Sequence, residues 1–238
     1  MLRGRKVIGT IAFMGGIPAV LTEFCRSWGK LVQYTMEYVC EANETVYLDD
    51  ARVSFHSWAR NSLVDSMRGD WLFMLDTDHS YDPDILGRLL HRMDQFNLDV
   101  ICGLYLFKSA PHPPVLYGWH TRKNGEAGLC LMGGWTGPAH VVEVAGAGGG
   151  CLLVKRKVFD RIRDELHEKP FDVIGQGGED LGFFHRLRRL EVKAYIDDRV
   201  ECPHLMSKAL TFSEDYHPSS DDLVLVDPAT GLIEDKVI

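Results

Sequence analysis

Two aspartates, Asp76 and Asp78, directly follow an apolar run in the stretch WLFMLDTDHSY (residues 71–81). On an extended chain, side chains two positions apart lie on the same side, so both carboxylates are expected to reach one cation. Such hard oxygen ligands suit Mg²⁺ or Mn²⁺, which commonly complete their shell with water and substrate phosphates. The spacing therefore predicts a divalent-metal site for a diphosphate. The alternative is that both aspartates only cap a turn, because short motifs give many false positives.

Two further groups of polar residues fit the same chemistry. Glu179 and Asp180 follow two glycines and open a predicted helix, GGEDLGFFHRLRRL, whose dipole favours ionised carboxylates in the first turn. An ionised aspartate at a substrate site can act as a general base, although acids in a first turn also occur as ordinary capping residues. His204 follows a late predicted strand in ECPHL and is a candidate third metal ligand beside Asp76 and Asp78.

Two other classes of D-x-D protein can be weighed on the sequence. An EF-hand loop starting at Asp76 requires Gly at its sixth position and Glu at its twelfth, where this chain has Tyr81 and Gly87, so that class is excluded. A haloacid-dehalogenase-type phosphatase also carries D-x-D after an apolar strand, and Ser80 is close to its usual Thr. In that family the motif sits on the first strand, whereas here a strand, two helices and another strand precede it. The phosphatase remains an alternative.

The elements around these residues predict an α/β fold. Apolar runs predict buried strands at residues 6–13, 45–50, 71–76 and 98–107, and amphipathic segments predict helices at residues 18–38, 56–69 and 83–96. Alternating strands and helices favour a mostly parallel central sheet with helices on both sides. In such sheets ligands bind at the carboxyl ends of the strands, which is where Asp76 and Asp78 lie.

Composition narrows the function classes. The 238 residues are 45% hydrophobic and 25% charged, as in ordinary globular proteins, and the net charge of −8 disfavours nucleic acid as the main partner. The six cysteines form no C-x-x-C pair, which favours reduced thiols. No apolar run reaches the roughly 18–20 residues of a membrane span. We therefore expect a cytoplasmic protein without a membrane span.

The domain boundary is expected near residue 207. Residues 1–207 are predicted to form a single domain, and residues 208–238 a polar tail or lid. Residues 108–140 are rich in Pro, Gly, His and Trp and are typical of loops and short hairpins. Trp119, His120 and Trp135 in this segment either stack on an acceptor or pack as ordinary loop residues.

Taken in order, several segments resemble one known family. The chain is similar to GT-A fold glycosyltransferases of the family 2 type and to their small phage-encoded relatives, with a Rossmann-like central sheet. The matching segments run over most of the chain: SWARNSLV (57–64), FMLDTD (73–78), DVICGLY (99–105), GGGCLLVKR (148–156), GED (178–180) and CPH (202–204).

The resemblance implies a donor site and a metal site. The metal, Mn²⁺ or Mg²⁺, would be held by Asp76, Asp78 and His204, with Asp78 the closer aspartate. The loop after the first strand would hold the nucleotide base, and an arginine would lie near the base or the diphosphate. The residues assigned in this way to the nucleotide sugar are Phe13, Pro18, Arg60, Asn61, Asp76, Thr77, Gly149 and Gly150.

The resemblance also implies a reaction. Glu179 would hydrogen-bond the sugar hydroxyls, and Asp180 would deprotonate an acceptor hydroxyl that attacks the anomeric carbon, with inversion. The chain departs from the family on the second strand, where only Asp49 and Asp50 stand for the usual acidic motif, so the base of the nucleotide stays open, with a UDP-sugar favoured. The acceptor is a glycan, a protein or a modified nucleobase. A non-catalytic nucleotide-sugar or glycan binding module on the same fold is a further alternative.

Overall fold

The computed structural model describes most of the chain. The described residues are 5–16, 20–52, 55–121, 127–132, 140–175, 177–206, 209–210, 225–226 and 233–234. Pro18, named above for the nucleotide base, and Trp135 lie outside them, as does most of the predicted tail at residues 208–238. The division into a domain and a tail therefore stays a prediction.

A seven-stranded sheet forms the centre of the described part. Its order is β2-β1-β3-β9-β4-β10-β7, and five strands run in one direction while β9 and β7 run against them. The α/β fold with a mostly parallel sheet is thus confirmed. The seven strands are Lys6–Met14 (β1), Glu44–Ala51 (β2), Trp71–Leu75 (β3), Val100–Leu104 (β4), Val141–Val144 (β7), Cys151–Lys155 (β9) and Ala194–Glu201 (β10).

Shorter strands lie outside this sheet. A three-stranded sheet has the order β6-β5-β8, and two pairs of two-residue strands, β11 with β12 and β13 with β14, are antiparallel. Their bounds are Leu116–Thr121 (β5), Ala127–Leu131 (β6), Gly146–Ala147 (β8), His204–Leu205 (β11), Ala209–Leu210 (β12), Leu225–Val226 (β13) and Ile233–Glu234 (β14).

Helices cover both faces of the large sheet. Their bounds are Thr22–Tyr34 (α1), continued by a π-helical turn at Thr35–Val39, then His56–Ser66 (α2), Ile85–Gln95 (α3), Arg156–Leu166 (α4) and Glu179–Arg189 (α5). The prediction of a helix from residue 18 was wrong about its start, because Val20 and Leu21 are not helical and Leu21 has extended backbone angles. Among the described residues no helix is both long enough and apolar enough to cross a membrane.

Strand β3 explains why the run before Asp76 is apolar throughout. All five of its residues are buried. Leu72 and Met74 face the core under α2, α4 and α5, and their neighbours Trp71, Phe73 and Leu75 face the core under α1 and α3. Because a strand alternates its side chains between two faces, one covered on both faces has no polar position.

The antiparallel strand β9 brings the glycine run 148–150 to the site. It lies between β3 and β4, so its first residue pairs with the last residue of β3, Leu75 with Cys151. The carbonyl of Gly150 then accepts a hydrogen bond from the backbone N–H of Asp76 at 3.1 Å. The two loops therefore meet at one edge of the sheet, although they are distant in sequence.

The core at β3 gives a direct test of this packing. We expect Phe73→Ala to lower the free energy of unfolding by about 3–5 kcal/mol, because a fully buried ring is replaced by a cavity. The matched control is Phe96→Ala, at a position that is half exposed, for which a loss under about 1 kcal/mol is expected. Urea unfolding of both variants checks this, and equal losses would contradict the placement of β3 in the core.

Candidate functional site

A cleft of about 270 Å³ opens at the carboxyl ends of the parallel strands. Its walls come from the loop after β3, the segment after β4, the glycine loop before β9 and the start of α5. Residues of three predicted groups line it together, including Asp76, Asp78, Gly148, Asp180 and His204. The topology thus brings most of the predicted polar site residues together, although Asp76 and His204 lie far apart in the sequence.

Asp78 and His204 meet on one wall of the cleft, as predicted, and His79 joins them. One ligand atom from each of the three residues lies within 4.8 Å of the other two. The Asp78 carboxylate has Oδ2 at 3.3 Å from His204 Nε2 and Oδ1 at 3.0 Å from His79 Nδ1. The two imidazole rings stack with their centroids 4.0 Å apart. A carboxylate and two imidazoles form a donor set suited to a divalent metal.

Short backbone pairing holds His204 in this position. The N–H of Leu205 donates to the carbonyl of Asp78 at 2.7 Å, and the N–H of Ser80 donates to the carbonyl of Pro203 at 3.0 Å. His204 Nδ1 lies 2.8 Å from the carbonyl oxygen of Leu106, which assigns the proton to Nδ1. Nε2 then faces Asp78 Oδ2 at 3.3 Å. This is the arrangement in which a backbone acceptor orients a histidine ligand.

Electrostatics favour the ligand forms of these groups. Burial alone raises the pKa of Asp78, but hydrogen bonds with His204, His79 and Lys108 outweigh it and hold the pKa well below its usual range. His79 is almost fully buried, which lowers its pKa and keeps the imidazole neutral. Its Nδ1 faces Asp78 Oδ1 at 3.0 Å, whereas its Nε2 has no hydrogen-bond partner among the described residues. A buried neutral imidazole with one unpartnered nitrogen fits a metal ligand, since neutral imidazole is the ligating form.

Asp76 points to a different partner. Strand β3 ends at Leu75 and the chain turns at Thr77 and Asp78, so the same-side geometry of an extended chain does not apply to the two aspartates. Asp76 Oδ1 instead accepts from Arg60 Nη2 at 3.0 Å. Asp76 is not part of the cluster of Asp78, His79 and His204, although its side chain lines the same cleft, and its role as a metal ligand stays a prediction.

Arg60 is the centre of the second half of the site. Its side chain is 1% exposed, yet it contacts three carboxylates, with Nε at 3.2 Å from both Glu179 Oε1 and Asp180 Oδ1. Its Nη1 donates to the carbonyl of Gly149 at 3.0 Å. Burial lowers the pKa of this guanidinium, but the charges of Asp180, Asp76 and Glu179 outweigh burial and raise it above the usual value. Arg60 is therefore a permanently charged brace.

Asp180 has the electrostatic properties of a general base. Burial raises the pKa of its carboxyl to about 6, assisted by the charges of Glu179 and Asp76 and opposed by the charge of Arg60. Its side chain is 25% exposed and lines the cleft. A carboxylate that titrates about one unit below neutrality is ionised at pH 7 and still basic enough to accept a proton.

The glycines make room for side chains of the site itself. A Cβ on Gly149 would lie 2.4 Å from Arg60 Cζ, and one on Gly148 would lie 1.8 Å from Tyr105 Oη. A Cβ on Gly150 would lie 3.0 Å from His79 Cε1. Gly149 and Gly150 were predicted to admit the donor sugar, and their absent side chains have a second reason, which is the packing of Arg60, Tyr105 and His79.

Other predicted residues lie farther from the metal cluster. Phe13, the last residue but one of β1, packs edge-to-face on Phe24 and Trp28, with ring centroids 5.4 Å apart in both pairs. Asn61 is buried and uses both ends of its amide, donating to Asp172 Oδ1 and accepting from the N–H of Phe171, each at 3.0 Å. Thr77 is buried between the two aspartates. Their donor-binding roles stay predictions.

Among the acceptor residues considered in segment 108–140, Trp119 does not line this cleft. Trp119 lies beneath the guanidinium of Arg188, whose Cζ is 3.9 Å from the ring centroid, in a separate cavity of about 200 Å³. The packing alternative therefore fits Trp119.

The sequence did not predict two residues of the candidate metal site: His79, which belongs to the cluster, and Lys108, which contacts it. His79 directly follows the D-x-D motif, and its type and position were a usable signal. Lys108 lies 30 positions away, and its Nζ is 2.5 Å from Asp78 Oδ2. No pattern in the sequence pointed to Lys108, because a lone lysine in a loop is most often a solvated surface residue.

Comparison with known proteins agrees with this geometry. Residues 42–129 match the family model Glycosyl transferase family 2, a segment that contains Arg60, the D-x-D motif and Lys108. The family 2 resemblance predicted from the sequence is thus confirmed over that segment. No curated protein matches the chain. Among solved structures, the crystal structure of A197 from STIV is similar with a TM-score of 0.51 and 19% identity, covering 83% of this chain and 85% of that one, a likeness of fold alone.

Removing the charge of Arg60 is expected to be costly for stability. Arg60→Met leaves Asp76, Glu179 and Asp180 without their shared partner, and we expect a loss of about 3–5 kcal/mol in the free energy of unfolding at pH 7. The matched control is Arg161→Met, whose partner Glu165 is half exposed, with an expected loss under about 1 kcal/mol. Chemical unfolding decides between them, and a similar small loss in both variants would contradict the bracing role.

Asp180 is expected to make stability depend on pH. Its pKa is about 6 in the folded chain and near the ordinary 3.8 when unfolded, so the folded state binds more protons between these values. Stability contributed by the protonated carboxyl is therefore lost as pH rises from about 4 to 6. We expect Asp180→Asn to gain about 1–3 kcal/mol relative to wild type across that window. Unfolding at pH 4 and pH 7 tests this, and an unchanged difference would contradict it.

Proposed function

From a GT-A fold that carries glycosyl transferase family 2 sequence over residues 42–129, we propose a metal-dependent glycosyltransferase. It moves a sugar from a nucleotide-diphosphate sugar to an acceptor hydroxyl, with inversion at the anomeric carbon. One observation carries the proposal: a cluster suited to a metal and a carboxylate suited to a general base line the same cleft. A metal-dependent inverting transfer uses both groups, one for the leaving diphosphate and one for the nucleophile.

The residues that would hold the metal are Asp78, His79 and His204. Two observations on the described residues support this set: Nε2 of His79 has no hydrogen-bond partner, and a backbone carbonyl orients Nε2 of His204. Two nitrogen donors suit Mn²⁺ better than Mg²⁺, which prefers oxygen. When bound, the metal supplies positive charge to the departing diphosphate. Asp76 contributes through Arg60, because its carboxylate offsets the guanidinium that approaches the same end of the cleft.

Asp180 would take the proton of the acceptor hydroxyl. Its ionised form predominates above pH 6, and Arg60 fixes the carboxylate at the start of α5. The base and the candidate metal ligands come from different segments of the chain that line the same cleft. Glu179 contacts Arg60 and lies 3.7 Å from His56 Nδ1, and we assign it to the sugar hydroxyls.

The nucleotide base is assigned to the carboxyl ends of β1 and β2. Phe13 is in register with Asp50 there, so an aromatic ring and a carboxylate lie side by side near the ends of two neighbouring strands. This supports a base site despite the unusual sequence of the second strand. A UDP-sugar is the favoured donor, and the acceptor class remains a glycan, a protein or a modified nucleobase. The cytoplasmic location stays a prediction.

The two alternatives have less support. A phosphatase needs the first aspartate of D-x-D as a free nucleophile, whereas Asp76 Oδ1 is bound by buried Arg60. The D-x-D motif also follows β3, the third strand along the chain, and does not lie at the first strand. A binding module without catalysis does not require a carboxylate whose pKa is raised to about 6 inside the cleft. Both remain measurable outcomes.

The test is thermal stability with UDP, GDP, TDP and CMP, each with and without Mn²⁺. A ligand at about 100 times its Kd stabilises the fold by about 2.7 kcal/mol, so one nucleotide should raise Tm only when Mn²⁺ is present. Asp78→Asn should lose the shift, whereas the control Asp82→Asn, at an exposed carboxylate on the same loop, should keep it. No shift with any nucleotide would contradict the donor site.

A second measurement separates binding from catalysis. Asp180→Asn should keep the metal-dependent shift and lose transfer of sugar by at least about 100-fold, since it removes the base but no metal ligand. Retained transfer in this variant would contradict the role of Asp180. A hydroxylamine-sensitive phosphoaspartate at Asp76 would instead establish the phosphatase, and a nucleotide shift without any turnover would establish the binding module.

A further inference from the structure

A cation of the protein itself, the ammonium group of Lys108, contacts the candidate metal site of Asp78, His79 and His204. Lys108 Nζ lies 2.5 Å from Asp78 Oδ2, and the same oxygen is 3.3 Å from His204 Nε2. This oxygen is therefore shared between a lysine ammonium and a candidate metal ligand. The side chains of Lys108 and Asp78 are 42% and 40% exposed, so the pair sits at the mouth of the cleft, where an ion can reach it.

Lys108 is carried by a loop with a fixed base. The loop leaves the large sheet after β4 and ends at β5 of the three-stranded sheet. Its two ends are tied by hydrogen bonds from the N–H of Phe107 to the carbonyl of Pro113 at 2.9 Å and from the N–H of Val115 to the carbonyl of Tyr105 at 3.0 Å. The carbonyl of Leu106, two residues before Lys108, is the acceptor that orients His204. The loop thus positions both the metal ligand and the competing cation.

Both positive groups need the same carboxylate oxygen. A metal bound at Asp78 Oδ2 would bring its charge close to the ammonium on the same oxygen, and like charges at contact distance repel strongly in a half-buried site. The lysine stem has four rotatable carbons, so the ammonium can move away without a change in the fold. Binding of a metal therefore favours departure of the Lys108 ammonium from this oxygen.

We propose that Lys108 is a built-in counterion of Asp78, which fills the cation position of the free protein and is displaced when metal and nucleotide diphosphate bind together. The inference rests on the proposed metal-dependent function. It explains how a carboxylate with two adjacent histidines remains electrostatically balanced before the metal arrives. It also identifies the displaced ammonium as a ready partner for the donor's phosphate oxygens, which carry negative charge into the same mouth.

The consequence is coupling between metal and nucleotide. In the free protein the metal must expel an ammonium, which weakens its binding. With a diphosphate present the expelled ammonium gains a new anionic partner, so the loss is recovered. Removing the ammonium should therefore strengthen metal binding in the absence of nucleotide and reduce the gain that nucleotide brings.

The experiment is a titration with Mn²⁺ alone, followed by the electron paramagnetic resonance signal of the free ion at constant ionic strength. Wild type, Lys108→Met and the control Lys193→Met are compared, because Lys193 also pairs with one carboxylate, Glu143, at 2.8 Å and lies away from the cleft. We expect Lys108→Met to bind Mn²⁺ at least 10-fold more tightly than wild type, and Lys193→Met to match wild type. Adding Asp78→Asn to Lys108→Met should abolish the gain.

Each other outcome has a definite meaning. Equal or weaker binding by Lys108→Met overturns the counterion while leaving metal-dependent transfer intact. Binding by Lys108→Met but not by wild type supports the counterion and contradicts metal dependence of the native protein, because the lysine then replaces the metal. A gain that survives Asp78→Asn arises elsewhere and overturns the proposal. No binding by either protein overturns it too, because then there is no cation site to share.

Discussion

The buried charge of Arg60 is the interaction on which the rest of the site depends. Its guanidinium joins the loop after β3, the start of α5 and the glycine loop before β9 through one carboxylate from Asp76, two from Glu179 and Asp180, and the carbonyl of Gly149. Desolvating such an ion is expensive, and only several partners with good geometry offset the cost. Three segments distant in sequence are therefore fixed relative to one another by one side chain.

Two features of the cleft follow from this brace. Asp180 keeps a pKa near 6 because burial and two neighbouring carboxylates outweigh one guanidinium, and without Arg60 the carboxylates would repel one another further. Only glycine fits at position 149, because a Cβ there would overlap with the guanidinium group of Arg60. A position that serves the architecture can thus be mistaken for one that touches the ligand, because both demand a small residue.

The two aspartates of the D-x-D motif divide the work of the site. Asp76 balances Arg60 in the interior, whereas Asp78 faces the mouth with two histidines and a lysine. The division arises because β3 ends one residue before the motif, so the chain turns and the two side chains separate. One motif therefore supplies both a residue that anchors the structure, Asp76, and an exposed candidate metal ligand, Asp78.

The sequence alone determined the α/β class, the buried strand before the motif, the polar residues at its end and the resemblance to family 2 glycosyltransferases, which the family model supports over residues 42–129. These features depend on local pattern, because apolar periodicity and the order of strands and helices are written along the chain. The family resemblance also predicted that His204 lies near Asp78, because motifs in a fixed order along the chain occupy fixed places in a shared fold.

Only the tertiary structure decided which side chains meet. The pairing of Asp76 with Arg60, the entry of His79 into the metal cluster and the contact of Lys108 with Asp78 all depend on where the chain turns and on the antiparallel insertion of β9. Contacts of the site join residues up to 126 positions apart, and no local pattern records them. Charge and spacing named the groups available for chemistry, and packing selected their partners.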